Sequence, residues 1–313
     1  MAVLSEAKGQ AASSPFSTFG IGEYYGSALV NNQGMAGVGL SNPQFWHLNN
    51  QNPALLVYNN FTVFGAGIIG EPRTARGDAI SERSRGGNLN YLATAFPVMP
   101  RKWTTSLGLM PYTNMDYRLQ YTDAITGNEN TTTITEEGSG GLTQFYWSNG
   151  VRITRELAIG LKSSYIFGSL VNDFSAVLNE TPQPVPYVVT INEKTYITDF
   201  SFSAGVSYSK DSIWRGNDHR LSMGAIYGFG TNLKTRRTDK FLRNTSSGEL
   251  VDSVTLTSLR GNIYIPHEIG FGISLAKRLE WAVGADIRYQ DWSEFSSLNA
   301  EDQEGLVPSW SVA

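Results

Sequence analysis

The chain has 313 residues, a formal net charge of −4 and no cysteine. The length suits one large domain or two modest ones, and the mixed charges give no basic face for nucleic acid. The lack of cysteine excludes disulfide frameworks and thiolate metal sites. The three histidines, His47, His219 and His267, lie far apart without metal-ligand spacing. We therefore expect no metal, no cofactor and no nucleic-acid partner.

The bulk composition favours β structure. Glycine is frequent at 32 residues, aromatic residues reach 12% and charged residues only 17%. Mean hydropathy is −0.23, and no run of 18 apolar residues is present to make a spanning helix. These values predict an all-β protein rich in glycine and aromatic side chains.

Residues 1–58 show no period-two alternation. The opening "MAVLSEAKGQAA" lacks the charged and apolar regions of a complete secretory signal, although Gly9-Gln10-Ala11 is a candidate cleavage site. It is either a disordered terminus or the remnant of a signal peptide. Further along, three glycines and two Asn-Pro pairs in 31–56 indicate tight backbone turns.

From residue 59 onward the sequence alternates between large apolar and small residues. In 281–290 the odd positions begin with Trp281 and Val283, whereas the even positions include Gly284 and Asp286. Such alternation predicts antiparallel strands. About nine are visible, near 61–70, 88–98, 103–121, 141–154, 157–168, 200–209, 221–230, 269–276 and 281–295.

The connections between these strands alternate in length. Short turns at 100–102, 154–156 and 277–279 contrast with polar stretches at 71–87, 122–140, 171–195 and 232–262, which we interpret as long loops. Short turns at one end and long loops at the other are typical of transmembrane antiparallel β-barrels of outer membranes. The alternative, a soluble β-sandwich, gives no reason for this sorting.

The small side chains of the second face suggest that something fills the barrel. Glycine in a strand often marks the close approach of another backbone. The Trp281 face would contact lipid, and the Gly284 and Asp286 face would line the lumen. Residues 1–58 are the natural lumenal plug, with a periplasmic tail as the alternative.

Three stretches resemble the FadL/TodX family of outer-membrane transporters of long-chain fatty acids and other hydrophobic compounds. "GMAGVG" (34–39) followed by "NPALL" (52–56) resembles the family's N-terminal hatch. "YIPHEIGFGISLAKRLEWAVGADIRYQDWSEF" (264–295) is similar to its glycine-rich hairpin and Trp-Ser pattern. "GLMPYTNMDYRL" (108–119) places a proline where the family's third strand kinks.

The resemblance implies a barrel of about 14 strands with an N-terminal hatch in the lumen. On that pattern, 1–58 is the hatch segment and 59–313 is a barrel that we expect to be incomplete at its C-terminus. The hatch residues would be Gly34, Gly37, Gly39, Asn52, Pro53 and Ala54. The family's strand signature would be Asp291, Trp292, Ser293 and Phe295.

The resemblance also implies a function. The protein would take up fatty acids or other hydrophobic compounds across the outer membrane of a Gram-negative bacterium, with hatch gating and lateral release through the barrel wall. Its partners would be membrane lipid, the hydrophobic compound and other outer-membrane proteins. Gly108 and Pro111 would mark the wall opening, because proline cannot donate to a strand ladder. A strand-end proline near the interface is the alternative.

Four further residues are candidate contacts in the lumen. Phe45 and Trp46 would either contact an apolar ligand or pack against the barrel wall. Lys162 and Arg288 point inward on the alternation and would either meet a carboxylate head group or pair with carboxylates such as Asp286.

A second function remains open at this point. FadL-like barrels also serve as non-transporting subunits of outer-membrane machines, such as the plug or shuttle proteins of type IX secretion, and "SPFSTFGIGEYYG" resembles that branch. The polar stretch 126–141 offers no apolar surface to capture a ligand, which favours the subunit interpretation. No histidine has a nucleophile-like context, so we do not expect an enzyme.

Overall fold

The computed structural model describes residues 13–76, 81–124, 131–179, 187–213, 218–245, 249–277, 280–298 and 306–313. Gly9-Gln10-Ala11 therefore lies outside the described residues. The strands are β1 (Glu23–Tyr24), β2 (Val63–Arg76), β3 (Ser81–Met99), β4 (Trp103–Ala124), β5 (Thr131–Arg152), β6 (Leu157–Asn179), β7 (Tyr187–Asp211), β8 (His219–Gly228), β9 (Thr231–Thr245), β10 (Leu250–Ile265), β11 (Glu268–Lys277), β12 (Trp281–Asp291) and β13 (Pro308–Val312). The helices are short: α1 (Val30–Gln33) and 3-10 helices at Pro15–Thr18, Pro53–Tyr58 and Trp292–Glu294. Among the described residues, none of them has the length and apolarity needed to cross a membrane.

The strands form one antiparallel sheet in the order β13-β12-β11-β8-β7-β6-β5-β4-β3-β2. Strand β7 pairs with β8 over Ser203–Asp211 and with β9 over Tyr187–Thr198. Strand β10 in turn pairs with β9, and β11 with β8. Strands β8 and β9 therefore form one long strand that is interrupted at 229–230. Strands β10 and β11 form a second, which is interrupted at 266–267. Within the described part of the chain, β2 and β13 are the edges of the sheet.

Each of the nine alternating stretches overlaps a strand of this sheet, so the all-β prediction and the fold class are confirmed. The last one ends as a strand at Asp291 and continues into the 3-10 helix Trp292–Glu294. The prediction of four long loops is wrong. Those stretches extend the strands into the hairpins β2–β3, β4–β5, β6–β7 and β9–β10. Polar residues lie on both faces of these extensions, and apolar residues such as Phe174, Ile191 and Leu256 are exposed, so the alternation that identifies a half-buried strand is missing from the sequence.

The two ends of the barrel still differ as the sequence predicts. Short connections at 100–102, 153–156 and 278–280 define the turn end, and the long hairpins define the hairpin end. On β12, Trp281, Val283 and Ile287 lie exposed on the outer face, whereas Asp286 is buried on the inner face. The alternation of large and small residues therefore separates the outer and inner faces in the predicted way.

The inner face of the sheet surrounds residues 13–58. Toward the hairpin end, Ile21 and Phe295 join wall residues in an apolar core of Met115, Tyr117, Leu142, Ile166, Leu170, Ile197, Leu233, Ile263 and Ile265. Toward the turn end, Leu29, Leu48 and Leu56 pack with Tyr91, Ala93, Ala95, Met110 and Tyr146. Side chains therefore fill the interior of the barrel at both levels.

Candidate functional site

Glycines on the inner wall allow the N-terminal segment to touch the strand backbone. A Cβ atom at Gly224 would collide with the Leu40 carbonyl oxygen, and one at Gly160 would collide with the backbone of Pro53 and Ala54. The same segment faces Gly150, Gly205, Gly270, Gly272 and Gly284. The small inner face is therefore explained by contact between two backbones.

Asn52 fastens this segment to the wall. Its Oδ1 accepts a hydrogen bond of 3.0 Å from the Ala54 backbone N–H and caps the 3-10 helix Pro53–Tyr58. Its Nδ2 donates to the carbonyl oxygens of Leu40 at 2.7 Å and Val206 at 3.1 Å. The side chain is fully buried. Removing it would leave buried backbone groups without partners.

Asp286 makes a second set of hydrogen bonds between the wall and the N-terminal segment. Its Oδ2 accepts hydrogen bonds from two successive backbone N–H groups, Gly39 at 2.7 Å and Leu40 at 2.8 Å, and the residue is only 3% exposed. The sequence placed Asp286 on the face that lines the lumen and indicated it as a partner for inward cations, but did not indicate its hydrogen bonds to Gly39 and Leu40. Leu40 and Asp286 are 246 positions apart in the sequence, so no local sequence pattern indicates that they are in contact.

The remaining glycines of "GMAGVG" shape the turn before this contact. Gly34 follows α1 as its C-terminal cap, and its N–H donates to the Val30 carbonyl. Gly37 adopts a φ of +93°, a region that residues with a Cβ rarely adopt. Gly39 has no room for a Cβ, because Asn32 and Gln51 occupy that space.

Lys162 and Arg288 do point inward and lie close to each other. Lys162 donates from Nζ to the Asn50 carbonyl at 3.1 Å. Arg288 forms an ion pair of 2.9 Å with Glu268 and also donates to Gln51. Lys162 and Glu268 line a cavity of about 80 Å³ together with residues that include Tyr24, Tyr112, Gln144 and Gln290. The charges of Lys162 and Glu268 cancel, and Arg288, the ion-pair partner of Glu268, adds one positive charge beside the cavity.

Phe45 and Trp46 lie at the turn end. Their rings meet edge to face at 4.2 Å, Phe61 adjoins Phe45 at 6.1 Å, and all three side chains are exposed. Phe45 and Trp46 line an open cavity of about 670 Å³ whose rim includes Asp211, Asp218, Arg220 and Glu280. Burial lowers the pKa of the neighbouring His47 imidazole below its ordinary value.

Gly108 and Pro111 flank a gap in the wall. Pairing between β3 and β4 ends at Leu92 and Leu109. Toward the hairpin end, β3 continues to pair with β2, while β4 continues with β5 after a register shift at Pro111. A Cβ at Gly108 would meet the ring of Tyr146. The two strands therefore separate one residue beyond Gly108.

Residues 13–25, which we call the strap, fill this gap. On one side the strap holds β4 through backbone hydrogen bonds: β1 pairs with Thr113 and Asn114, and Ser14 N–H donates to the Asp116 carbonyl at 2.8 Å. On the other side it holds the β2–β3 hairpin through hydrogen bonds that each involve a side chain. Arg73 pairs with Glu23, and Ser84 Oγ donates to the Ser13 carbonyl at 3.1 Å.

An apolar cleft of about 270 Å³ opens beside the strap. It is lined by Phe16, Phe19, Gly20, Ile21, Gly22, Tyr24, Trp292, Phe295 and Leu306. Phe16 is 79% exposed and Phe19 is 60% exposed. Neither residue was predicted from the sequence, although two phenylalanines in a glycine-rich segment that does not alternate were a visible signal.

The strand signature forms the opposite side of the cleft. Asp291 Oδ1 accepts from the Ser293 backbone N–H at 3.1 Å and caps the 3-10 helix Trp292–Glu294. This turn directs Phe295 into the interior, where it is buried, with its ring 6.1 Å from that of Trp292. Asp291 and Ser293 thus shape the turn, and Trp292 and Phe295 supply the apolar surface. No group of residues suited to a metal ion is found in the described part of the chain.

Two solved structures share this fold. The CymD monoaromatic hydrocarbon channel has 13% sequence identity and a TM-score of 0.52, over 93% of this chain and 75% of its own. The P. putida toluene transporter TodX has 15% identity and a TM-score of 0.52, over 88% of this chain and 74% of its own. At these identities the likeness establishes the β-barrel fold of FadL-type channels. Comparison with curated proteins gives no match.

A family model sharpens the assignment. The BamG model matches residues 1–306, so it spans the N-terminal segment, the glycine-lined wall and the strand signature together. The FadL/TodX resemblance seen in the sequence therefore describes the fold, and the chain belongs to the BamG family.

Proposed function

We propose that this protein is an outer-membrane channel for small hydrophobic compounds. The observation that carries this proposal is that the apolar cleft and the gap in the wall are both bordered by the strap. A compound in the cleft is thus close to a route that leads sideways into the bilayer. The shared fold with channels named for monoaromatic hydrocarbons and toluene supports the same class of cargo.

The cleft favours an uncharged compound. All its lining residues are apolar or glycine except Tyr24, so binding would be driven by the burial of apolar surface, worth about 25 cal/mol per Å². A carboxylate would instead require the cavity beside Lys162 and Arg288, which offers only about 80 Å³. We therefore propose small hydrocarbons as the preferred cargo, with fatty acids taken up less well.

The proposed path leaves sideways because the interior is closed below the cleft. The contacts of Asn52 and Asp286 fasten the hatch segment across the lumen toward the turn end. The strap is paired with β4 through backbone groups, whereas each of its hydrogen bonds to the β2–β3 hairpin involves a side chain. In this proposal the hatch stays in place, and the strap separates from β3 while it remains paired with β4.

Substitution of Phe16 and Phe19 with glutamine should test the cleft. We expect the initial rate of toluene uptake into proteoliposomes to fall by about 30-fold or more, because the two substitutions together remove roughly 2–4 kcal/mol of apolar contact. Phe174→Gln is the matched control, since Phe174 is exposed but does not line the cleft. Equal rates in the double variant and the control would rule out the cleft as the binding site.

A second candidate is a non-transporting subunit of a larger outer-membrane assembly. The exposed aromatic group of Phe45, Trp46 and Phe61 at the turn end favours it, because exposed aromatic clusters often mark protein contacts. Native mass spectrometry of the protein extracted from its own outer membrane in mild detergent distinguishes the two. A monomer that carries hydrophobic adducts supports the channel, and a ligand-free barrel in a stable complex supports the subunit.

A further inference from the structure

A group of five cations lies on the outer face of the hairpin end: Lys194, Lys234, Arg236, Lys240 and Arg260, which we call the basic patch. We propose that the basic patch binds the phosphate groups of an anionic glycolipid in the outer leaflet. The orientation of the barrel, with the hairpin end outward, rests on the proposed outer-membrane function. The chain as a whole is acidic, at −4, so this local excess of positive charge runs against its composition.

The strand register places the basic patch on the lipid-facing side of the sheet. Arg236 of β9 is directly opposite Tyr196 of β7 and Arg260 of β10. Tyr196 shares its face with Phe200 and Phe202, which are exposed outer-face residues of β7. Because side chains alternate along a strand, Arg236 and Arg260 lie on that same face.

The level of the basic patch matches that of lipid head groups. On the outer face of β7 the exposed apolar residues run from Val206 to Phe200, with the amphipathic Tyr196 beyond them. Tyr196, level with Arg236, lies four residues before Phe200, which is about 13 Å along the strand toward the hairpin end and roughly 10 Å in height at barrel tilt. The cations thus begin just beyond the apolar band, where the phosphates of the outer leaflet would be.

The protein itself provides little negative charge to balance the basic patch. Among the described residues, only Lys234 of the five has a carboxylate within ion-pair distance, Asp199 at 3.6 Å. Arg236 and Arg260 are opposite each other in the ladder, and like charges in that position are destabilising. A bound anion would remove this repulsion.

Two of the cations make cation–π contacts with the same aromatic ring. The Lys194 Nζ lies 4.9 Å from the centre of the Tyr196 ring, and the Arg236 guanidinium lies 5.4 Å from it. Cation–π contacts of this kind restrict flexible side chains. Arginine adds two parallel hydrogen bonds to a phosphate, which a single ammonium group cannot do.

A lipid is a better occupant than free phosphate. The basic patch adjoins exposed Phe200, Tyr165 and Phe167, whose rings pack side by side at 5.0 to 5.6 Å. One glycolipid molecule can therefore place its phosphate on the cations and its acyl chains on these rings. Inorganic phosphate would gain only the first of these contacts.

The test compares lipid binding by the full chain and by Arg236→Gln/Lys240→Gln/Arg260→Gln, using native mass spectrometry in detergent. The control variant, Lys102→Gln/Arg155→Gln/Lys210→Gln, makes the same charge change with exposed cations at the turn end. The probes are bisphosphorylated lipid A, its dephosphorylated form and inorganic phosphate. Gel mobility before and after heating confirms that each variant forms the folded barrel.

We expect the patch variant to bind bisphosphorylated lipid A about 100-fold more weakly than the native chain, since each cation contributes about fivefold. The control variant should bind within about twofold of the native chain. Equal binding by both variants would overturn the proposal. So would equal affinity for dephosphorylated lipid A, or full displacement of the lipid by millimolar inorganic phosphate. Failure of the native chain to bind lipid A, together with normal toluene uptake, would overturn the basic patch and leave the channel proposal standing.

Discussion

Joining Ser13→Cys to Ser84→Cys should reduce toluene uptake to the level of vesicles without protein. Ser84 Oγ lies 3.1 Å from the Ser13 carbonyl, so a short bifunctional thiol reagent that contains a reducible disulfide can join the two positions. The native chain has no cysteine, so no other thiol competes. Reduction of the disulfide should restore uptake.

The expected loss follows from the two unequal sides of the strap. The side toward β4 is held by backbone pairing, whereas the side toward β2 and β3 depends on side-chain contacts such as Arg73 with Glu23. We therefore expect the contact between the strap and β3, which we call the seam, to be the part of the wall that opens on the proposed path. A covalent link across that seam removes the open state without changing the cleft.

A second pair of cysteines is the matched control. Tyr24→Cys with Thr113→Cys links the strap to β4, across positions that already face each other in the strand register. Uptake by this pair should be the same in the oxidised and reduced forms, because the strap stays with β4 throughout. If both links block uptake equally, the strap must leave as a whole, and the proposed seam is wrong.

Weakening the same seam should have the opposite effect. Arg73→Gln removes the ion pair with Glu23, whose side chains are only partly exposed. We expect uptake to rise by at most about fivefold, the factor that corresponds to about 1 kcal/mol for a partly exposed pair. A decrease in uptake in folded protein would contradict the gating role of the strap.

Replacement of Gly224 with valine should destabilise the barrel and loosen the hatch segment. The new Cβ would occupy the position of the Leu40 carbonyl oxygen, so either the segment or β8 must move. Moving the segment would break the hydrogen bonds of Leu40 to Asp286 and Asn52. We expect the free energy of unfolding to fall by about 3 kcal/mol, as for other overpacked interiors.

The control for this substitution is Gly70→Val. Gly70 is also a strand glycine, but nothing lies within 4 Å of its Cβ position. The change in stability there should be within about 0.5 kcal/mol. Urea unfolding in detergent measures both variants, and limited proteolysis of residues 37–57 reports the hatch segment directly. Equal stabilities would show that the segment does not rest against the wall at Gly224.

The strands were predictable because burial on one face leaves an alternating pattern. The stretch that begins at Trp281 shows this most clearly, since its large residues are on the outer face and Asp286 is inside. The hairpins at the far end were not predictable. In β9 and β10 both faces carry polar or charged residues, and only pairing with a neighbouring strand gives them their structure.

Only part of the candidate site could be predicted from the sequence, for a similar reason. Asn52-Pro53-Ala54 carries a local capping signal, since Asn52 accepts from a backbone N–H two residues away. The contacts that assemble the strap join residues far apart in sequence: Arg73 meets Glu23 across 50 positions, and Ser84 meets Ser13 across 71. Such pairs depend on the path of the segment inside the barrel, which no local pattern specifies.

A crystal structure with 4-bromotoluene bound would test the proposed path most directly, because bromine is located by its anomalous scattering. We expect a bromine peak in the cleft between Phe19, Trp292 and Phe295, and in Arg73→Gln a second peak between the strap and β3. A peak in the lumen below Asn52, or in the cavity beside Phe45 and Trp46, would show that the compound passes straight through the barrel and would contradict lateral release.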